Sequence, residues 1–237
     1  MANLTTEEIN RYSRQLMLDE VGIEGQIKIK KAKVLVVGAG GLGCPVLQYL
    51  GAAGVGTIGI IDFDTVEIHN LHRQILYTAD DIGKPKAQTA AQKIIAANPY
   101  VSCVVFNDTL QSSNAEKIIS QFDIIVAGPD NFLTRYLVND VCVRLNKPLV
   151  YGSILNFEGQ LAVFNHNGSK NLRDIYPEPP NPEDVPKGTE IGVMGFVPGI
   201  IGVYMASATI QIVLDKYDNN NLLLFDFKQF TILKLKI

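Results

Sequence analysis

The sequence predicts an α/β chain. Its core is a doubly wound, mainly parallel sheet, with helices in front and antiparallel strands behind. Three observations carry that class. Short apolar runs alternate with helical patterns from Lys33 to Ser153, which calls for parallel pairing through right-handed crossovers. Glycines at 38, 40 and 43 follow the first apolar run and open a helix, the G-x-G-x-x-G spacing of a strand–turn–helix that holds phosphate. After Ser153, "LLLFDF" and "FTILKL" follow one another with no helix between them, as in an antiparallel extension.

The elements follow in order. "TTEEINRYSRQLML" sets Thr5 three residues before Glu8, a capping-box spacing, and continues at helical period as one helix. A second amphipathic stretch covers Gly25 to Lys31 by the same periodicity. Strand "KVLVVG" then leads through the glycine turn into a helix from Leu42 to Ala53. Strand "TIGIID" precedes a helix over Lys84 to Ala97, stopped by Asn98-Pro99, because proline and the residue before it resist helix. Next come strand "VSCVVF", a short helix from Asn114 to Ser120, strand "DIIVAG", a helix from Asn131 to Leu145 and strand "LVYGSI". "EGQLAVF" and the two final strands enclose a helix from Gly199 to Leu214. The chain reads as a single domain over 1–237: N-terminal helices (1–32), a nucleotide-binding core (33–153) and an antiparallel extension (154–237) with a crossover loop at 165–190. That loop carries Pro177, Pro179, Pro180, Pro182 and Pro186. A disordered linker would have this composition too, but the closely flanking elements favour a loop packed on the domain.

Composition narrows the partners. At 237 residues and 47% apolar content the chain can bury one large core. A net charge of -3 provides no basic footprint, so nucleic acid is not an expected partner. The polar start lacks the layout of a signal peptide, and no apolar run reads as long enough to span a bilayer; a soluble, cytoplasmic protein is expected. Cys44, Cys103 and Cys142 are an odd count without C-x-x-C spacing, which supports neither a disulfide framework nor a zinc site. Cys44 falls at a helix N-terminus, where a thiolate is favoured, but all three read as structural.

The glycine turn alone serves dehydrogenases, flavoenzymes and nucleotide-activating enzymes alike, and a turn that merely packs a helix also fits. Asp62 ends the next strand, where an acid accepts from ribose hydroxyls. "DFDTVEIHNLHRQ" then places Asp64, Asn70, Arg73 and Gln74 directly behind it. A site that binds triphosphate needs Arg and Lys on the phosphates; a nicotinamide site needs little positive charge there. Arg73 is one candidate. Lys84 and Lys86 of "GKPKAQ" stand at a helix entrance that already favours anions, though a lysine is commonly just solvated. Asp130 and Asn131 follow the fourth strand, at the edge that lines the ligand crevice. Asp130 suits Mg²⁺ or, alternatively, the N-cap of the next helix.

"RYSRQ", "GAGGLG", "DFD" followed by "NLHRQ", "GKPKA" and "PDNFLTR", in this order, resemble the MoeB/ThiF family (HesA/MoeB/ThiF), bacterial relatives of ubiquitin-activating enzymes. The resemblance runs from Arg11 to "LLLFDF", almost the whole chain. It implies a Rossmann-like domain with antiparallel extension, a homodimer, and ATP at the glycine turn. The activity it implies is adenylation of the C-terminal Gly-Gly carboxylate of a ubiquitin-like sulfur-carrier protein, for molybdopterin or thiamin biosynthesis, with a separate sulfur donor possible downstream. By the same resemblance Gly41 approaches the nucleotide and Asp62 binds ribose. Asn70, Arg73 and Lys86 hold the triphosphate, Asp130 works with Mg²⁺, and Arg14 reaches the other subunit's site. Two departures stand out. Asn171 and Asp174 occupy the place of the family's first zinc-binding C-x-x-C pair, and no second pair follows, so no zinc is expected. Gly188 stands near the place where some members carry a loop cysteine. Activation of a tRNA-linked carboxylate, or a nucleotide-binding scaffold without turnover, are the alternatives; an NAD-dependent oxidoreductase is disfavoured by Arg73 and Lys86.

Overall fold

The computed structural model describes residues 3–181, 192–218 and 220–237. Two short helices, α1 (Thr6–Arg11) and α2 (Ser13–Leu16), and a longer α3 (Gly22–Lys31) precede the sheet. Its strands are β1 (Lys33–Val37), β2 (Thr57–Ile61), β3 (Ser102–Phe106), β4 (Ile124–Ala127), β5 (Leu149–Leu155), β6 (Glu158–Phe164), β7 (Asn221–Asp226) and β8 (Thr231–Lys236). They form one sheet in the order β3-β2-β1-β4-β5-β6-β7-β8. Pairings from β3 to β5 are parallel, and those from β5 to β8 antiparallel. Each predicted strand is present.

Burial on both faces explains the apolar runs. In β1, Val34 and Val36 enter one core, while Leu35 and Val37 enter the other; a central parallel strand has no solvent face. The first core is closed by α3, α4 (Gly43–Ala53), α5 (Lys86–Ala97) and α9 (Phe196–Val213). The second is closed by α6 (Ala115–Ile119), α7 (Phe132–Arg144) and α8 (Leu172–Ile175). Placing helices on both faces leaves the carboxyl ends of β1 and β4 to diverge into a crevice, because their connections leave in opposite directions.

Local differences from the sequence reading have local causes. The expected single N-terminal helix is broken at Tyr12 (φ -95°, ψ 10°). Tyr12 is buried, and its hydroxyl accepts from Asn98 Nδ2 at 2.9 Å, a tie that draws the ring inward. Helix α5 starts at Lys86 because Pro85 before it is extended (ψ 129°). The unpredicted α8 is one turn closed by a capping box between Asn171 and Asp174. Helix α9 is long and apolar enough to cross a membrane, contrary to the expectation that no apolar run is. Half of it is buried, and it packs on α4, β5 and β6; a helix enclosed by the core is apolar on most sides. The crossover segment is tied to the domain as far as Glu178: Tyr136 Oη lies 2.9 Å from the Tyr176 carbonyl and 2.8 Å from that of Glu178, and Arg173 forks onto Asp140 at 2.7 and 2.8 Å. Pro182, Pro186 and Gly188 lie outside the described residues.

The glycine turn closes tightly on itself between Gly43 and Gly38, where a Cβ on Gly43 would overlap the Gly38 carbonyl oxygen. Backbone cannot retreat as a side chain can. Gly43→Ala is therefore expected to destabilise by about 3 kcal/mol, read as a lower urea midpoint at unchanged slope. Gly40→Ala, whose Cβ would sit 3.6 Å from the Gln74 amide, is the matched control and should move the midpoint far less.

Candidate nucleotide-binding site

Four segments meet at the crevice: the glycine turn, the stretch after β2, the entrance of α5 and the end of β4. Gly38 turns the chain at φ +92°, a conformation that favours glycine. A Cβ on Gly41 would lie 3.2 Å from Pro198 and 3.7 Å from the Arg73 stem, so Gly41 sits beneath α9 and beside Arg73. Ala39 is held from three directions. Its amide donates to Asp62 Oδ2 at 2.7 Å, and its carbonyl accepts from Tyr77 Oη at 2.9 Å and from Cys44 Sγ at 3.4 Å.

Asp62 thus holds the turn as well as ending the strand. Its Oδ1 accepts from the Asp64 amide at 2.8 Å. Burial pushes its carboxyl up from the ordinary range, while the two amides and Lys86 pull it back. Asp64 in turn meets Lys86 twice: Oδ2 receives Nζ at 2.8 Å, and the carbonyl receives the Lys86 amide at 2.9 Å. The Lys86 side chain is only 6% exposed. Lys84 points outward, 53% exposed and 3.3 Å from Asp81. The solvated-lysine alternative describes Lys84 and fails for Lys86.

Asn70 is buried in a 3₁₀ turn, with Oδ1 accepting from the Glu67 amide at 3.3 Å. Arg73 Nη1 donates to the His69 carbonyl at 2.9 Å and lies 2.9 Å from His72 Nε2. Gln74 is buried beside Gly40, and its Oε1 has no hydrogen-bond partner among the described residues. At the end of β4, Asp130 and Asn131 are exposed. Asn131 Oδ1 caps α7 by accepting from the Thr134 amide at 2.8 Å, so the capping role weighed for Asp130 belongs to its neighbour. Arg14 is exposed on α2, with Nη1 3.9 Å from Met17 Sδ; no hydrogen bond among the described residues joins it to the crevice.

Two side chains of this region escaped the sequence reading. Arg135 donates from Nε to the Pro129 carbonyl at 2.9 Å and from Nη1 to Tyr151 Oη at 3.3 Å, over the Phe132 ring. It fixes the turn that presents Asp130. Its signal was its place in "PDNFLTR", one helical turn after Asn131. Tyr77 had no comparable signal. Cys44 is buried, as its structural reading expects, and that burial, foremost, pushes the thiol up to about 12, outweighing the helix end. Burial likewise raises Cys142 to about 12 and Cys103 to about 11.

The ThiF family model matches residues 12–237. The chain belongs to the ThiF family. It is 47% identical to the sulfur carrier protein adenylyltransferase of Thermus thermophilus, over 98% of this chain and 89% of that relative. It is also 47% identical to the adenylyltransferase and sulfurtransferase MOCS3 of Culex quinquefasciatus, over 100% of this chain and 55% of the relative, and to the probable adenylyltransferase/sulfurtransferase MoeZ of Mycobacterium tuberculosis, over 89% and 55%. The chain spans about half the length of these last two. Among solved structures, PaaA superposes with TM-score 0.84 at 20% identity, covering 100% of this chain and 76% of PaaA. Escherichia coli MccB with ATP superposes with TM-score 0.82 at 21% identity, covering 96% and 71%. Both share the fold of this ThiF chain.

The loop leading into α5 is organised by Asp81, whose carboxylate meets Thr78, Lys84 and Lys93. Burial opposes its ionisation, but the Lys93, Thr78 and Lys84 contacts outweigh it and hold the carboxyl well below the usual range. A depressed acid stabilises the fold above its unfolded pKa, and that contribution is lost as pH falls through the folded value. Asp81→Asn is expected to cost about 2 kcal/mol at pH 7. The gap in melting temperature between the two proteins should narrow below about pH 4.

Proposed function

We propose that this ThiF chain is an ATP-dependent adenylyltransferase for a ubiquitin-like sulfur-carrier protein. It activates the carrier's C-terminal Gly-Gly carboxylate as an acyl-adenylate and releases pyrophosphate, in molybdopterin or thiamin biosynthesis. The observation that carries the reading is Lys86, a buried ammonium turned inward beside a glycine turn that also faces Arg73. A nicotinamide site has no use for that pair of cations, whereas a triphosphate does. The similarity to adenylyltransferases over nearly the whole chain supports the same activity.

In this reading Gly38, Gly40, Gly41 and Gly43 let the backbone approach the nucleotide, and Asp62 adds ribose to the amides it already accepts. Asn70, Arg73, Gln74 and Lys86 bind the phosphates and their surroundings, with Asp64 holding Lys86 and Asn131 shaping the far wall. The unpartnered Gln74 Oε1 supports a filled crevice, because a dry, unmet acceptor costs about 1–3 kcal/mol. Asp130, an exposed carboxylate freed from capping, fits a cation that keeps most of its waters and takes few protein ligands. Mg²⁺ there would neutralise charge on the departing pyrophosphate. The attacking carboxylate is already ionised at neutral pH, so the site needs no general base. Its work is in-line positioning and fixed positive charge, which Arg73 and Lys86 supply.

A homodimer completes the assignment of Arg14, proposed to act in the neighbouring subunit's site. Tyr49 of α4, Ile75, and Phe196, Ile200 and Tyr204 of α9 leave an apolar face around a cavity of about 340 Å³, and exposed apolar patches mark association. A reaction that draws on ATP belongs in the cytoplasm, with no part for a membrane or nucleic acid. Zinc has no assigned place, since Asn171 and Asp174 are engaged in capping α8. The 1–237 span acts as one adenylation domain.

ATP with Mg²⁺ is expected to raise the melting temperature by mass action, and NAD to leave it unchanged. With the Gly-Gly carrier added, labelled pyrophosphate should exchange into ATP. Stabilisation by NAD alone, or ATP binding with no carrier-dependent exchange, would overturn the assignment. The dimer has its own test. Arg14→Ala and Lys86→Ala chains should each be nearly inactive, and their exchanged mixture should regain about a quarter of wild-type activity, because one site of each hybrid keeps both groups. No recovery in dimers shown to exchange would place Arg14 outside its neighbour's site.

A further inference from the structure

Tyr77 lies in the core between the glycine turn and α5, and its hydroxyl touches both. It is 2.9 Å from the Ala39 carbonyl and 3.2 Å from that of Lys86. A buried phenol needs one acceptor, and Ala39 alone would satisfy it. The second contact adds a direct hydrogen bond between pieces that Asp62 and Asp64 also link, beside the apolar packing of α5 on α4. The ties form a closed ring: the Ala39 amide to Asp62, the Asp64 amide to Asp62, the Lys86 amide and ammonium to Asp64, and Tyr77 from Lys86 back to Ala39.

We propose that Tyr77 is a positioning residue, which sets the distance between the nucleotide-facing glycine turn and the phosphate-binding Lys86 by bridging their two carbonyls. The inference rests on the ATP site assigned above. Tyr77 touches no nucleotide in this scheme and acts through Lys86. Without its hydroxyl, the entrance of α5 keeps its ties to the segment after β2 through the Asp64 carbonyl and the Val66 amide, but the Lys86 carbonyl loses its direct link to the glycine turn. Cys44 Sγ, 3.4 Å from the Ala39 carbonyl, does not replace the bridge, because among the described residues it makes no hydrogen bond to Lys86. Burial, foremost, pushes ionisation of the phenol well above its ordinary value, so the bridging proton stays in place throughout the working pH range. A tyrosine serving only as core filling would bring ring volume, and phenylalanine would serve equally.

The test is Tyr77→Phe, which keeps the ring and removes the bridge, with Mg²⁺–ATP affinity measured by calorimetric titration. In the presence of Lys86 the substitution is expected to weaken ATP binding about fivefold. In a Lys86→Met background it should have almost no further effect, since coupled residues are not additive. Equal weakening in both backgrounds, or no weakening with Lys86 present, overturns the proposal. A second readout needs no nucleotide: the ammonium ¹⁵N resonance of Lys86, assigned by its loss in Lys86→Met, should shift in Tyr77→Phe, and an unmoved resonance overturns the proposal as well. Failure of the wild-type protein to bind Mg²⁺–ATP would instead remove the nucleotide assignment, so the two failures are distinct.

Discussion

At the carboxyl end of β2, Asp62 commits one oxygen to the Ala39 amide at 2.7 Å and the other to the Asp64 amide at 2.8 Å. Holding a carboxylate partly out of water is costly unless donors compensate, and these two amides are the compensation. Losing either removes part of what keeps the acid ionised, to which Lys86 also contributes. The glycine turn is therefore fixed relative to β2, and Asp64 is fixed where it meets Lys86. Three segments remote in sequence share one geometry because a single side chain couples them.

The sheet provides the frame for that coupling. Its parallel half brings β1, β2 and β4 to one edge, so that a turn, a loop and a strand end converge where the crossovers part. The antiparallel half begins at β5, which pairs in both senses. Beyond it, β8 is exposed along its whole length, so this edge of the sheet presents surface, while the crevice lies among the interior strands at the carboxyl ends of β1 and β4.

The strands and the glycine turn were legible because their signals are local. A doubly buried strand is an apolar run, and only glycine tolerates the Gly43–Gly38 approach. Lys86 was legible too, from its register at the helix entrance. What sequence alone did not reveal depends on partners distant in the chain. The break at Tyr12 needs Asn98, 86 residues away, and the anchoring of Arg135 needs Tyr151. Tyr77 bridges atoms 38 and nine residues away, with no pattern of its own. Cys44 shows two principles in competition: a helix end favours the thiolate, burial opposes it, and burial prevails.

The Lys86–Asp64 pair shows how such a site can be ready for an anion before one arrives. The two partners are unequally exposed, 6% for the lysine side chain and 47% for the aspartate. For phosphate oxygens to enter as proposed, one member of the pair would have to loosen its hold on the other. Water can solvate the half-exposed aspartate as it yields, whereas the lysine has no comparable access. The carboxylate would be the member to give way, and the cation would stay. The cost of fixing the ammonium is thus met in folding, by a partner that holds it at 2.8 Å and leaves it free to meet stronger charge. Positive charge fixed in advance needs little reorganisation during reaction, and that is where electrostatic catalysis gains most. Arg73, whose Nη1 donates to the His69 carbonyl at 2.9 Å, is likewise oriented by a protein acceptor, but at a position that keeps its access to water.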